Sequence, residues 1–396
     1  MRLRKALVFG IAVLVVAMFM ASCGEKEEEE AKTVTIGLTA PLSGVGAGYG
    51  EDIKAGLDMA IKKINDSGGV TIGDAKYKFK LNAADDQAAP EAALSNVTRF
   101  ILQEGINIVW DPYATTITKL MEINNKPGEE FLIMSYTSIP LYATAPNPLM
   151  VTFPPPFTVY LKSFTSIAMS RGWKKMGMLQ TTGSYGDLWG SKFEQAWTTA
   201  GGTVVAKSPA NYYETNDFTP YLTTVLAANP DVIFCGGPSE PTGLVIEQAR
   251  GLGFKGGFIV MDQAKLDVIA EKIGMEKLEG AIGTLPVELS AENWPYMAKF
   301  AEDYKAAYGK TVTWETAICY TGFHVLVEAM KKAGSVDDIK AIRAAFPEAA
   351  FTSGKEFPVE YSGMNKDTGA MYMPGNSTQV KDGQFTIEGE VRWWEQ

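Results

Sequence analysis

The sequence predicts an α/β fold built on parallel sheets and divided into two lobes. Three observations carry this. Strand-like and helix-like patterns alternate along nearly the whole chain, the signature of βαβ units. A chain of 396 residues is long enough for two full cores. Three extended stretches, around Pro154–Pro156, Pro286 and Gly354, interrupt the alternation. Three crossings between two lobes would build each lobe from separate segments.

The elements follow in order. Arg2, Arg4 and Lys5 precede an apolar run from Ala6 to Met20, and Met20-Ala21-Ser22-Cys23 closes it. A basic start, an apolar centre and a small-residue end make residues 1–23 a targeting segment. The run is too short for a comfortable permanent span. Residues 24–32, from "GEKEEEEAK", are acidic and poor in apolar side chains. They read as a solvated tether.

Thr33–Leu38 is the first strand. The loop "SGVGAGYG" follows, and a helix is expected from Glu51, with Ile53, Leu57, Ala60, Ile61 and Ile64 on one stripe and Gly68-Gly69 as its stop. A glycine-rich loop between strand and helix raises the question of a phosphate. The spacing answers against it: where GxGxxG needs a third glycine stand Tyr49 or Glu51, and there is no GK[ST]. Glu51 and Asp52 at the expected helix start would also repel a pyrophosphate. The loop is therefore expected to bring backbone, with Tyr49, close to some other ligand, or simply to turn.

"YKFKLNAADD" is a strand that runs into Asp85 and Asp86, expected to cap the next helix. The strands "INIVW", "FLIMS", "KKMGML", "TVVAK", "PDVIFCGG", "GGFIVMD" and "GAIGTL" then recur with helices between them. The C-terminal part alternates as strands about a Lys381-Asp382-Gly383 turn. Ligands in such sheets bind beyond the carboxyl ends of the strands.

Composition narrows the function. A net charge of −10 with no basic stripe speaks against nucleic acid. The single histidine, His324, has apolar neighbours at helical spacing and reads as structural. No GxSxG, HExxH, CxxC or Cys/His pair is present. No enzyme, cofactor or metal site is therefore expected. Cys235 and Cys319 fall in apolar patterns, as buried thiols or as a disulfide in an exported chain.

Four stretches resemble one family: "IGLTAPLSGVGAGYGEDIKAGLDMAIKKINDSGGV", "DDQAAPEAALSNVTRFILQEGINIVWDP", "GSYGDLWG" and "PDVIFCGG". They are similar to the substrate-binding proteins of bacterial ABC importers of the leucine/isoleucine/valine-binding type. The resemblance implies the type I periplasmic-binding fold. That fold has two Rossmann-like lobes, three crossovers and a ligand cleft between them. Here lobe 1 would be residues 33–153 plus 286–354, and lobe 2 residues 154–285 plus 355–396. It also implies a small-molecule ligand, an amino acid of the branched-chain type, and a membrane permease as partner. "MASC" resembles a lipobox, so Cys23 would carry the lipid that anchors an exported protein. Two stretches depart from the family: "VTFPPPFT" at the first crossing and "YTSIPLY" after the strand "FLIMS". They leave aromatic acids, other carboxylic acids and amides open as ligands. A ligand-sensing receptor on the same fold is the other functional class.

An amino acid offers a carboxylate for hydroxyls, an ammonium for a carboxylate, and a side chain for apolar walls. The resemblance puts Thr115 at the family's carboxylate-binding hydroxyl, with a helix cap as the alternative. It puts the Tyr136 backbone, Thr137 and Ser138 at the next loop. Tyr185 is the candidate aromatic lid. Ser239, beside Pro238, is the candidate on a second-lobe loop. Asp262 is the candidate ammonium partner, with Gln263 as the alternative and helix capping as Asp262's competing role.

Overall fold

The computed structural model describes residues 30–140, 146–292, 294–349 and 357–395. The targeting segment with Cys23, most of the tether and Gly354 lie outside them.

The first sheet grows from β1 (Lys32–Ala40), β2 (Val70–Ile72), β3 (Ala75–Asp85), β4 (Ile108–Asp111), β5 (Leu132–Ser135) and β6 (Met150–Thr152), in the order β2-β3-β1-β4-β5-β6. Every pairing is parallel except that of the short β2 with β3. The sequence reading did not foresee β2 or β6. Helices α1 (Ala47–Asp66), α2 (Pro90–Glu104) and α3 (Ala114–Met121) make the crossovers. All residues of β4 and β5 are buried, because both faces of the sheet are covered and a continuous apolar run is what such strands need.

The second sheet contains β7 (Lys175–Gln180), β8 (Thr203–Lys207), β9 (Val232–Gly236), β10 (Gly257–Val260), β11 (Ala281–Thr284), β12 (Gly375–Lys381) and β13 (Gln384–Val391), in the order β13-β12-β11-β10-β9-β7-β8. β7 to β11 are parallel; β12 and β13 join as an antiparallel hairpin. Asp382 and Gly383 turn it, both at positive φ, as a two-residue hairpin loop requires. Helices α4 (Leu161–Ser170), α5 (Ser184–Thr199), α6 (Thr219–Leu226), α7 (Ser239–Gly251) and α8 (Leu266–Ile273) belong to this part of the chain.

After β11 the chain returns to the first lobe as α9 (Tyr296–Tyr308), α10 (Trp314–Ala333) and α11 (Ile339–Ala349). α10 is buried almost all round and packs with α1 in one core. Gly56 permits this contact: a Cβ there would stand 2.4 Å from the Thr316 carbonyl oxygen.

Three expectations are corrected. α1 begins at Ala47 instead of Glu51, so Gly48 and Gly50 lie inside the helix. The third crossing lies near Pro374, not Gly354. Val359, Tyr361, Met364, Met371 and Met373 sit in the first-lobe core, and Ala370 bridges to Thr152 of β6. Their apolar side chains find that core before the chain enters β12. Finally, Asp85 and Asp86 do not cap α2, whose cap is Ala89 without a side-chain bond. Asp85 accepts from Leu42 N–H and the Ser43 hydroxyl, and Asp86 from the Thr39 hydroxyl. Both fasten the loop after β1.

Candidate ligand site between the lobes

The strand ends of both sheets face a common cleft of about 490 Å³, part of it open to solvent. From the first lobe the cavity is lined by Tyr49, Thr115, Tyr136, Thr137, Ser138 and Glu315. From the second it is lined by Tyr185, Tyr213, Asp262, Gln263 and Lys265. Six of the seven residues singled out from sequence therefore meet at one place.

The seventh does not. Ser239 starts α7, and its hydroxyl accepts from the Lys265 N–H at 2.9 Å. It lines a second space, about 870 Å³ with the open solvent included, that shares Tyr49, Gln263 and Glu315 with the first.

Thr115 stands in the first turn of α3, whose cap is Tyr113 without a side-chain bond, so Thr115 is not the cap. Its hydroxyl is bonded to that of Tyr113. Thr137 and Ser138 follow β5 and are nearly buried. The Tyr136 carbonyl lies 3.4 Å from the Tyr49 hydroxyl and keeps a lone pair for a ligand. The same hydroxyl donates to Pro112 O at 3.1 Å. The Tyr49 and Tyr136 rings meet edge to face at 6.1 Å.

On the opposite wall Asp262 follows β10. It is not a helix cap: α8 starts after Lys265 with no side-chain cap bond. Its Oδ1 accepts from the Tyr185 hydroxyl at 2.6 Å and from Trp189 Nε1 at 2.8 Å. Trp189 is fixed by stacking on Phe157 at 4.7 Å. The Tyr185 hydroxyl also accepts from Gln263 N–H at 3.1 Å. Tyr185 is thus a clamp on Asp262 and less a mobile lid. Burial, and then the Asp262 charge, pushes its phenol well above the ordinary range, so it remains a donor. Gln263 itself donates to the Tyr213 hydroxyl at 2.6 Å.

The lobes touch around this cavity. Tyr113 of the first meets Tyr213 of the second, ring centroids 4.9 Å apart. Gly46 lies so close to the Tyr213 ring that a Cβ would stand 2.4 Å from it. The glycine-rich loop therefore serves close approach between lobes. Lys265 Nζ lies 2.7 Å from Glu315 Oε1, both side chains almost wholly buried.

Sequence reasoning missed Lys265 and Glu315. Glu315 had a signal: an acid in the first turn of a helix whose next eight residues are buried. Lys265 had none, since a lysine five residues past a strand is ordinary.

Cys235 and Cys319 are buried free thiols. His324 packs between Tyr320 and Phe357, and burial pushes it down to about 3, so it stays neutral. Among the described residues no cluster of His, Cys, Asp and Glu could hold a metal ion, and no helix is long and apolar enough to cross a membrane.

The chain is similar to known proteins over almost its whole length. A family model described as periplasmic binding protein matches residues 33–384. The Leu/Ile/Val-binding protein BraC3 of Rhizobium johnstonii is 26% identical over 343 residues, covering 82% of this chain and 85% of the relative. The leucine binding protein LivK of Thermotoga maritima superposes with a TM-score of 0.75 at 21% identity, over 92% of this chain and 100% of the other. A solute binding protein of an ABC transporter from Rhodopseudomonas palustris BisB5, solved in complex with 3,4-dihydroxybenzoic acid, gives a TM-score of 0.75 at 20% identity, over 91% and 97%. With two α/β lobes facing each other across a lined cleft, and a family match spanning nearly all of the folded body, this chain belongs to the periplasmic binding proteins of the type I fold.

Proposed function

We propose that this protein captures an amino acid between its lobes, outside the cytoplasm, and delivers it to an ABC permease. The observation that carries this reading is the opposition of Asp262 to the hydroxyls of Thr115, Thr137 and Ser138 across one cavity. A ligand with an ammonium at one end and a carboxylate at the other would bridge the walls. It would stabilise the closed arrangement by binding it better than an open one. The relatives named for leucine, isoleucine and valine support an amino acid. The lipid anchor at Cys23 would keep the protein near its permease. The reading includes no chemical turnover; the ligand leaves as it came.

An aromatic acid is the second reading. The dihydroxybenzoate-bound neighbour and the tyrosines along the cleft favour it. Asp262 and Glu315 oppose it, because each would repel the acid's carboxylate.

A thermal-shift panel on the mature chain separates the two. Amino acids are expected to raise the melting temperature, since a ligand of the native state stabilises by mass action. A panel in which benzoates alone raise it would replace the amino-acid reading with the aromatic one.

A further inference from the structure

Glu315 is a buried acid of the cleft whose hydrogen bonding is incomplete. It is 2% exposed, and neither carboxylate oxygen accepts a hydrogen bond of good geometry. Lys265 Nζ pairs with Oε1 at 2.7 Å, but two of its three N–H donors go to the carbonyls of Asp262 at 2.6 Å and Gln263 at 3.0 Å, and Oε2 is left without a donor. A buried carboxylate in this condition is costly unless a donor reaches it. Glu315 lines both spaces of the cleft and stands at their junction with Tyr49 and Gln263.

The charges point the same way. Asp262, Glu315 and Lys265 together leave one negative charge in the cleft. Around the second space two pairs are neutral, Lys310 with Glu51 at 3.1 Å and Lys272 with Glu240 at 3.3 Å, so the acids there outnumber the bases. Glu271 accepts from the Thr311 hydroxyl, and Asp52 adds a further carboxyl. A zwitterion brings no net charge and leaves the negative excess in place; a cationic ligand reduces it.

We propose that Glu315 is a specificity-determining ligand contact, and that the cleft takes a cationic amino acid whose α-ammonium meets Asp262 and whose side-chain cation reaches past Tyr49 to Glu315. This rests on the reading of the cleft as an amino-acid site and narrows it from the aliphatic class to the basic one. The two joined spaces supply the length: the head group occupies the first and the side chain enters the second.

The test is calorimetric titration of the mature chain with lysine and norleucine, which differ by the terminal ammonium, with leucine alongside. Lysine is expected to bind at least about a hundredfold more tightly than norleucine, because a site built around a buried acceptor rejects an analogue without the donor. In Glu315→Gln, lysine affinity is expected to fall at least about tenfold while norleucine stays within a few-fold. Should that variant fold poorly, the lysine–norleucine comparison on the unaltered chain decides by itself. Norleucine or leucine binding as tightly as lysine overturns the role of Glu315 and leaves the amino-acid reading standing. Binding of none of the three overturns both.

Discussion

The two carboxylates of the cleft are held in opposite ways. Asp262, on the second lobe, has one oxygen taken by Tyr185 and Trp189. Glu315, on the first, is more deeply buried, pairs with Lys265 at 2.7 Å, and has no hydrogen-bond donor on Oε2. The first is oriented before any ligand arrives, since its clamps are themselves packed aromatics. The second is held by its helix and the Lys265 ion pair, with one oxygen left for a further donor. One wall of the cleft is therefore preorganised, and the other is completed by what enters.

The sharpest way to break this contrast is Asp262→Asn. The amide oxygen can still accept from Tyr185 and Trp189, so the melting temperature of the free protein should hardly move. The charge is lost, and affinity for an amine ligand should fall by about 2–5 kcal/mol. Titration with the best ligand of the panel measures it; unchanged affinity would leave Asp262 a structural acceptor only.

A smaller effect is expected at the seam between the walls. Gly46→Ala puts a methyl group against the Tyr213 ring. Overpacking of this kind costs about 1–3 kcal/mol. It should appear as weaker ligand binding, because the clash arises where the lobes meet, and the free protein's melting temperature should be little changed. An equal loss in both would place the strain within one lobe.

The smallest effect is a pH dependence. Asp52, beside Glu315 in the second space, is pushed up to about 7, first by burial and then by the Glu315 charge. A carboxyl raised on folding stabilises fully below its unfolded value and loses that contribution as pH rises through about 7. Melting temperature should therefore decline between pH 5 and pH 8 by a few degrees more in the native chain than in Asp52→Asn. Parallel curves would mean that Asp52 does not titrate in that window.

Much of the site was legible because strand ends announce themselves. β4, β5 and β10 are short apolar runs closed by polar residues. Thr115, Thr137, Ser138 and Asp262 follow them directly. Ser239 misled because it follows a strand in the same way, yet its hydroxyl is used on Lys265 N–H. The contact of the Tyr136 carbonyl with the Tyr49 hydroxyl was not legible, because Tyr49 is far away in the chain. Whether a polar atom is free depends on partners that local pattern cannot supply.

Alternation of strand and helix by itself determined an α/β chain with parallel sheets, since periods of two and 3.6 residues are local properties. The turn at Asp382-Gly383 was local in the same sense. Tertiary structure decided where the last extended segment packs, because apolar residues from Val359 to Met373 suit either core and only the available surface chooses. It also decided that Glu315, carried back to the first lobe on α10, would stand beside Lys265 of the second. Two residues separated by a chain crossing share no pattern in sequence. Only the closure of one lobe on the other gives them a common environment.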